Sequence, residues 1–542
     1  MDLDGLKRAV RERIKETTAN NPTPVLAPAG PLSADLQALS LASLSNSLAI
    51  PSLDDDIYQI SEKLVVLEKY LSEGSNFESD PSVQHAVVSL RKWVANAILP
   101  SRAFAEKPHY SPDERPQLTL DDLAKCRAIA LEGLTVLSHL RKLALLLPEE
   151  PDIAVLTCLA AFSKENDTWN EPRAQKQASL LIQDYVESGH LPALLTSILE
   201  SHVKPRFSKS KNPAITQQGR RAIDPVPSNA ALHSDLDADS KPWKYRDVYV
   251  VTVFQWVLSH LSESSLQSSW PLIIPPLLAL IDDTSVKYKI KGCRSLVSLL
   301  RICPSPLLER TGLGEVFENA VMPCLLYLPS LTEEAVSLEM LNAAYTALIA
   351  LALARFPDQK DHPARMKALD RILRQGVLRG YAYAGEHVKI TELLVQQIVE
   401  LINEMGIESV KHLKHVLPLL SGILASPFAT AYPPLLQASV RALQAIIVND
   451  RPRVSYHRGE ILRGLTICWC RIREQEQRSK DLARVQEDIV GTVWLLTNVL
   501  KMDVDVVEEY QVLIDSDARL RDLLVADSRT QEGLDRSNPH VK

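Results

Sequence analysis

The sequence predicts an all-α protein, a HEAT/armadillo-like α-solenoid of stacked antiparallel helix pairs, and three observations carry that prediction. Apolar residues recur at alternating spacings of three and four along most of the 542 residues. Only 18 Gly and 5% aromatics are present, too few for sheet architectures that use Gly at hairpin turns and aromatics across strands. In the second half, helix pairs with a proline in the first helix recur at a period close to the roughly 40 to 47 residues of such repeats.

Residues 1–56 read as a flexible segment with a short amphipathic helix in MDLDGLKRAVRERIKE, followed by a loosely attached stretch rich in Pro, Ser, Ala and Thr. Residues 57–203 read as N-terminal helical repeats. Ile57, Ile60, Leu64, Leu67 and Leu71 fall on one helical face, and Val83, Val87, Leu90, Val94 and Ile98 do the same. Thr119 with Asp121 and Asp122 reads as an N-cap with first-turn acids, opening a helix to about Leu147. Helices near 153–163, 172–187 and 190–202 follow.

Residues 204–241 contain few large apolar side chains and four prolines, with a basic front half and an acidic end, and read as a disordered linker or long loop. Residues 242–450 hold the clearest repeats. In WPLIIPPLLALIDDTSVKYKIKGCRSLVSLLR, a helix with Pro275 and Pro276 near its start ends at Asp282-Asp283, and a second carries Val286, Ile290, Cys293, Val297 and Leu300 on one face. The plan recurs with Phe317, Val321, Cys324 and Leu328 facing Leu338, Leu341, Tyr345, Leu348 and Ala352, and again with Leu436, Val440, Leu443 and Ile447. Pro276, Pro323 and Pro418 stand 47 and 95 residues apart, one period and about two. Helix pairs of this kind bury their stripes only by stacking on neighbours. Residues 451–525 continue the helical pattern, and 526–542 read as a disordered tail.

A net charge of -7 and 23% charged residues supply no global field for a nucleic-acid backbone, so no direct nucleic-acid contact is expected. The seven cysteines are scattered through apolar patterns, as in a reducing compartment. No signal-like apolar segment or run approaching 18 uninterrupted apolar residues stands out, so a location in cytosol and nucleus, without a membrane span, is expected.

Candidate chemistry is sparse. Cys468 and Cys470 are two apart, on different helical faces, with no second pair. Arg310-Thr311-Gly312-Leu313-Gly314 lacks the strand before and the GK[ST] after that a phosphate loop needs, and reads as an inter-helix turn. His412 and His415 share a face without an acid in metal-ligand spacing. No catalytic, cofactor-binding or metal site is assigned, and the chain is expected not to be an enzyme. Two clusters remain as candidate protein-binding residues. Lys287, Lys291 and Arg294 lie opposite an apolar stripe, where they could also pair with neighbouring repeats. Lys241, Trp243, Lys244, Tyr245 and Arg246 combine aromatics and cations of the kind found at hot spots, although Trp243 could equally anchor the linker.

The runs KPWKYRDVYVVTVFQWVL and WPLIIPPLLALIDDTSVKYKIKGCRSLVSLL, with GLGEVFENAVMPCLLYLPSLT as the most specific stretch, resemble the central domain of the Tti2 family over about 240–450. That family supplies the smaller of two Tel-interacting subunits. The resemblance implies membership of the triple-T co-chaperone complex with the Tel subunit and the large Tti subunit. It further implies work with the Hsp-ninety chaperone and its adaptor assembly, on phosphatidylinositol-kinase-related kinases of the Tor, ATM-like and ATR-like types as clients. A different HEAT-repeat adaptor, such as a transport receptor or phosphatase scaffold, is the competing reading from spacing alone.

Overall fold

The computed structural model describes residues 2–18, 20, 26, 31–50, 56–73, 81–107, 119–144, 152–187, 189–210, 212–223, 240–357, 362–475, 479–501 and 506–525. Apart from one isolated bridge, Ile215 with Arg221, the regular structure among these residues is helical. The chain divides into two units, Met1–Ala279 and Leu280–Lys542.

The first unit opens with α1 (Leu3–Glu16), α2 (Ala34–Gln37) and α3 (Leu41–Ser47). These three correct the expectation of a loosely attached N-terminus. Leu6, Val10 and Ile14 of α1 are fully buried, and α1 packs on α4 (Ile57–Glu73). Leu26, Leu32, Leu36, Leu41, Leu44, Leu48 and Ile50 are buried as well. Polar ties fix the segment: Leu32 N–H donates to Glu73 at 2.9 Å, Tyr70 Oη donates to the Leu39 carbonyl at 2.5 Å, and Arg11 pairs with Glu62. Helices α5 (Pro81–Ala97) and α6 (Leu120–Ala144) follow, and α6 starts at the expected cap. Thr119 N–H donates to Asp122 at 3.0 Å, and Asp122 N–H donates to Thr119 Oγ1 at 3.1 Å, satisfying two orphan donors reciprocally. The expected end of that helix near Leu147 lies outside the described residues.

Next come α7 (Ile153–Ala161), α8 (Pro172–Glu187) and α9 (Leu191–Ile198), with α9 running through a π-helical turn, Leu199–Val203, into α10 (Lys204–Phe207). The front of the expected linker is therefore folded. Phe207 is buried, and residues 212–223 form a turn in which Gly219, at φ +66°, offers its carbonyl to Trp270 Nε1 at 2.8 Å. Residues 224–239, which hold the acidic end of that stretch, and the 526–542 tail lie outside the described residues. Helices α11 (Pro242–Tyr245), α12 (Tyr249–His260) and α13 (Glu263–Ile281) complete the series. Pro275 and Pro276 sit well inside α13 rather than near its start, because the Ser- and Gln-rich stretch from Glu263 is helical too.

The second unit is a stack of helix pairs: α14 (Val286–Leu300), α15 (Ser305–Thr311), α16 (Leu313–Val321), α17 (Glu334–Arg355), α18 (Pro363–Arg371), α19 (Arg379–Ala384), α20 (Val388–Met405), α21 (Leu413–Leu424), α22 (Pro433–Asn449), α23 (Arg451–Arg473), α24 (Lys480–Leu500), α25 (Val506–Ser516) and α26 (Arg521–Leu524). Its second helices form a ladder in which α14 packs on α17, α17 on α20, α20 on α22 and α22 on α24. First helices pack alongside, α21 on α23. This arrangement is that of HEAT-like repeats, in which each pair buries its stripe against the next. Most of the predicted stripes are inside: Ile290, Cys293, Phe317, Cys324, Leu341, Tyr345, Leu348, Leu436, Val440, Leu443 and Ile447 are buried, while Val286, Val297 and Leu338 are half-buried.

Two glycines make close geometry possible. Gly312, at φ +68°, closes α15 and opens α16, so the RTGLG stretch is an inter-helix turn as expected. Gly292 lets α14 approach the end of α13 so closely that a Cβ there would stand 2.7 Å from Ile281 N. Helices α13 and α17 are long and apolar enough to cross a membrane, but over half of each apolar window is buried within the protein, as in core helices.

Candidate protein-interaction surfaces

The cluster around α11 is drawn inward. Trp243 is fully buried, its ring stacked on Phe207 at 5.1 Å and its Nε1 donating to Ser210 Oγ at 3.0 Å. Such an aromatic pair adds about 0.5–1.5 kcal/mol beyond its burial. Tyr245 and Lys244 are buried beside it, and Lys244 Nζ lies 3.7 Å from Glu106. Of the two readings of Trp243, geometry selects the anchor, which corrects the assignment of Trp243, Lys244 and Tyr245 as surface contacts. Trp243 thereby pins the segment that begins at Lys241 onto α10. Lys241 is half-buried, and Arg246 is exposed, 3.3 Å from Asp247.

On α14, Lys287 and Arg294 are exposed and Lys291 is half-exposed. Arg294 reaches across to Glu339 of α17 at 2.9 Å, the pairing between neighbouring repeats that the spacing allowed. Lys287 Nζ lies 5.9 Å from the Tyr288 ring centre. The same cross-repeat pattern continues down the ladder. Glu334 of α17 meets His387 at 3.4 Å and Lys389 at 3.9 Å, Tyr432 donates to Glu392 of α20 at 2.8 Å, and Gln444 of α22 donates to Thr492 of α24 at 2.9 Å.

The first-helix side of the same unit is different. A groove of about 620 Å³ lies between the α18–α19 helix and α21, lined by Arg374, Leu378, Arg379, Tyr381, His415, Pro418 and Leu419. One wall passes through a π-helical stretch, Ile372–Leu378, a local widening that is frequent at functional sites. Gly376 in that stretch seats against Leu325 and Tyr345, which turns its neighbours Arg374 and Arg379 outward. Asp370 meets two cations, Lys411 at 3.4 Å and Arg374 at 3.9 Å, and the His412 imidazole Nε2 at 2.9 Å. Burial, ahead of the opposing pull of Asp370, lowers the pKa of His412. Arg379 lies over the Tyr383 ring at 5.7 Å, and neither it nor Lys414 has an ion-pair partner among the described residues.

Spacing alone left this groove unread. His415 was legible only as a solvated face. The signal was nonetheless present in Arg374 and Arg379 on one first helix and His415 on the next. What hid it was the π-helical stretch, which shifts the register that a period of 3.6 assumes.

The cysteines offer little nucleophilic character. Cys468 is buried and its thiol is pushed up to about 12 by burial, while burial and Asp517 push Cys470 to about 11. Among the described residues, no group of three or more His, Cys, Asp or Glu side chains is placed to hold a metal ion.

Comparison with known proteins places this chain. It is 22% identical over 260 residues to TEL2-interacting protein 2 of Saccharomyces cerevisiae, covering 45% of this chain and 61% of that protein, less than two thirds of its length. Among solved structures it is similar to Kap121p, with 12% identity and a TM-score of 0.36 over 94% of this chain and 47% of that one. It is also similar to importin beta, with 10% identity and a TM-score of 0.30 over 92% and 78%. Neither of these two likenesses assigns a function. The sequence profile of the Tti2 family matches residues 155–431, just over half of the chain and the whole of the groove, and the chain belongs to that family.

Proposed function

We propose that this protein is a scaffold subunit of the triple-T co-chaperone complex. In that role it binds the large Tti subunit and the Tel subunit, and supports maturation and stability of phosphatidylinositol-kinase-related kinases together with the Hsp-ninety chaperone and its adaptor assembly. The observation that carries the reading is the family match over residues 155–431, joined to the similarity with a protein whose name records interaction with TEL2. The fold agrees with it: stacked helix pairs make extended surfaces on which partners dock by side-chain anchors. On this reading the chain acts without a reaction of its own, in cytosol and nucleus, and bears on Tor signalling and the DNA-damage response only through its clients.

The test is affinity purification of the tagged full chain from its native host, followed by mass spectrometry. Recovery of the Tel and large Tti subunits in near-equal amounts is expected, with lowered client-kinase abundance when the chain is depleted. Recovery of neither subunit would overturn the reading.

A further inference from the structure

The groove on the first-helix side has a chemistry that the family match does not describe. Its lining is apolar at Leu378, Tyr381, Pro418 and Leu419 and cationic at Arg374 and Arg379, with His415 beside them, and the exposed Lys414 precedes His415 on α21. Among the described residues Asp370 is the carboxylate that Arg374 and Lys411 meet, so cations exceed anions around the groove. Two exposed aromatics flank the walls: Tyr383, 62% exposed, in the last turn of α19, and Phe428, 83% exposed, just past the end of α21. An apolar floor between cationic walls matches an amphipathic helix with acids flanking its apolar stripe. Nucleic acid or a free polyphosphate would use the cations and leave the floor wet. The wall from Arg374 to Ala384 is long enough, at about 1.5 Å per residue, for about three turns of such a helix.

We propose that this groove is the docking site for an acidic amphipathic helix of a partner protein, with its apolar side chains on Leu378, Tyr381, Pro418 and Leu419 and its carboxylates on Arg374 and Arg379. The charge term speeds encounter and fixes orientation, and the floor supplies the anchor. The proposal rests on the reading above only for the source of the helix, a subunit of the purified complex, and the peptide test is independent of it. A chain that recovers neither Tel nor large Tti subunit yet binds such a helix loses that reading and keeps this one.

The probe is a fluorescein-labelled synthetic peptide of about 18 residues, enough to hold helical character, with Leu at helical spacing and Glu on both flanks. Its control is a scramble of the same composition. Binding to the full chain is read by fluorescence anisotropy. The in-register peptide is expected to bind at least about tenfold tighter than the scramble, with affinity falling as salt rises. The Arg374→Glu, Arg379→Glu double variant and, separately, Tyr381→Ala are each expected to lose about tenfold, while Arg484→Glu on α24 loses nothing. Equal binding of the scramble, undiminished binding by the charge-reversed chain, or loss in the charge variant with none in Tyr381→Ala would overturn the proposal, the last marking a general polyanion surface. Should either variant unfold, amide exchange on the native chain decides: peptide-induced protection at residues 371–384 and 411–419 supports the groove, and protection elsewhere overturns it.

Discussion

The second-helix ladder of the C-terminal unit and the groove on its first-helix side are built from the same repeats, yet they treat charge differently, even though elsewhere on the first helices Arg371 pairs with Glu318 and Arg458 with Glu509. Along the ladder from α14 to α24, charged and polar side chains meet partners on the adjacent repeat, as Arg294 meets Glu339 and Glu334 meets His387 and Lys389. On the opposite side, Arg374, Lys411 and His412 crowd one carboxylate, Asp370, while Arg379 and Lys414 find none among the described residues. A ladder of mutual pairs holds neighbours in register. A rim with excess cations is suited to a ligand that brings the anions. The difference teaches that in a stacked-repeat protein the informative charges are those the stack leaves over, rather than those that look clustered in the sequence.

The comparison breaks most completely if the shared core is removed. Phe317 is fully buried between repeats, and Phe317→Ala is expected to cost about 3–5 kcal/mol in chemical denaturation, loosening both faces together. Gly292→Ala is the next largest effect. Its new Cβ would press on the backbone at Ile281 N and Leu280 C, so a loss of about 1–3 kcal/mol is expected, confined to the start of the ladder.

A third effect is read as a slope with pH. Asp450 is fully buried, and both its oxygens lie within 2.8–2.9 Å of Ser409 Oγ. Burial outweighs that hydrogen bond and pushes its pKa from 3.8 to about 6. The folded chain therefore holds this proton more tightly than the unfolded chain does. Its contribution is present in full below 3.8 and is lost as pH rises through about 6. Asp450→Asn is expected to flatten that part of the stability–pH profile, measured by denaturant titration at several pH values.

The smallest effect sharpens the comparison itself. Arg294 and Glu339 are both about half exposed, and a double-mutant cycle on the pair is expected to give a coupling of about 0.2–1 kcal/mol that fades in high salt. A coupling well above that range would make α14 more than an ordinary rung.

Much of the fold was legible because the ladder helices carry long apolar stripes at one period. The Thr119–Asp122 cap and the Gly312 turn were readable for the same local reasons: a specific side chain or a positive φ is required there. The N-terminal segment was misread because its buried leucines come in pieces of four to seven helical residues, too short for periodicity to register, and are held by tertiary ties such as Leu32 to Glu73. Aromatics and cations around Trp243 looked like a hot spot because composition cannot distinguish a side chain that anchors its own segment from one that awaits a partner. The groove was missed because its walls come from helices about 40 residues apart in sequence, which only the fold brings together, and because the π-helical stretch in one wall shifts the register that spacing assumes.

Amide hydrogen exchange on the chain alone and in the complex purified from its host tests the division of the two faces most directly. The account predicts new protection at residues 371–384 and 411–419 on complex formation, with the exposed turns of α14, α17 and α20 unchanged. Protection confined to those ladder helices, with the groove exchanging as in the free chain, would contradict it.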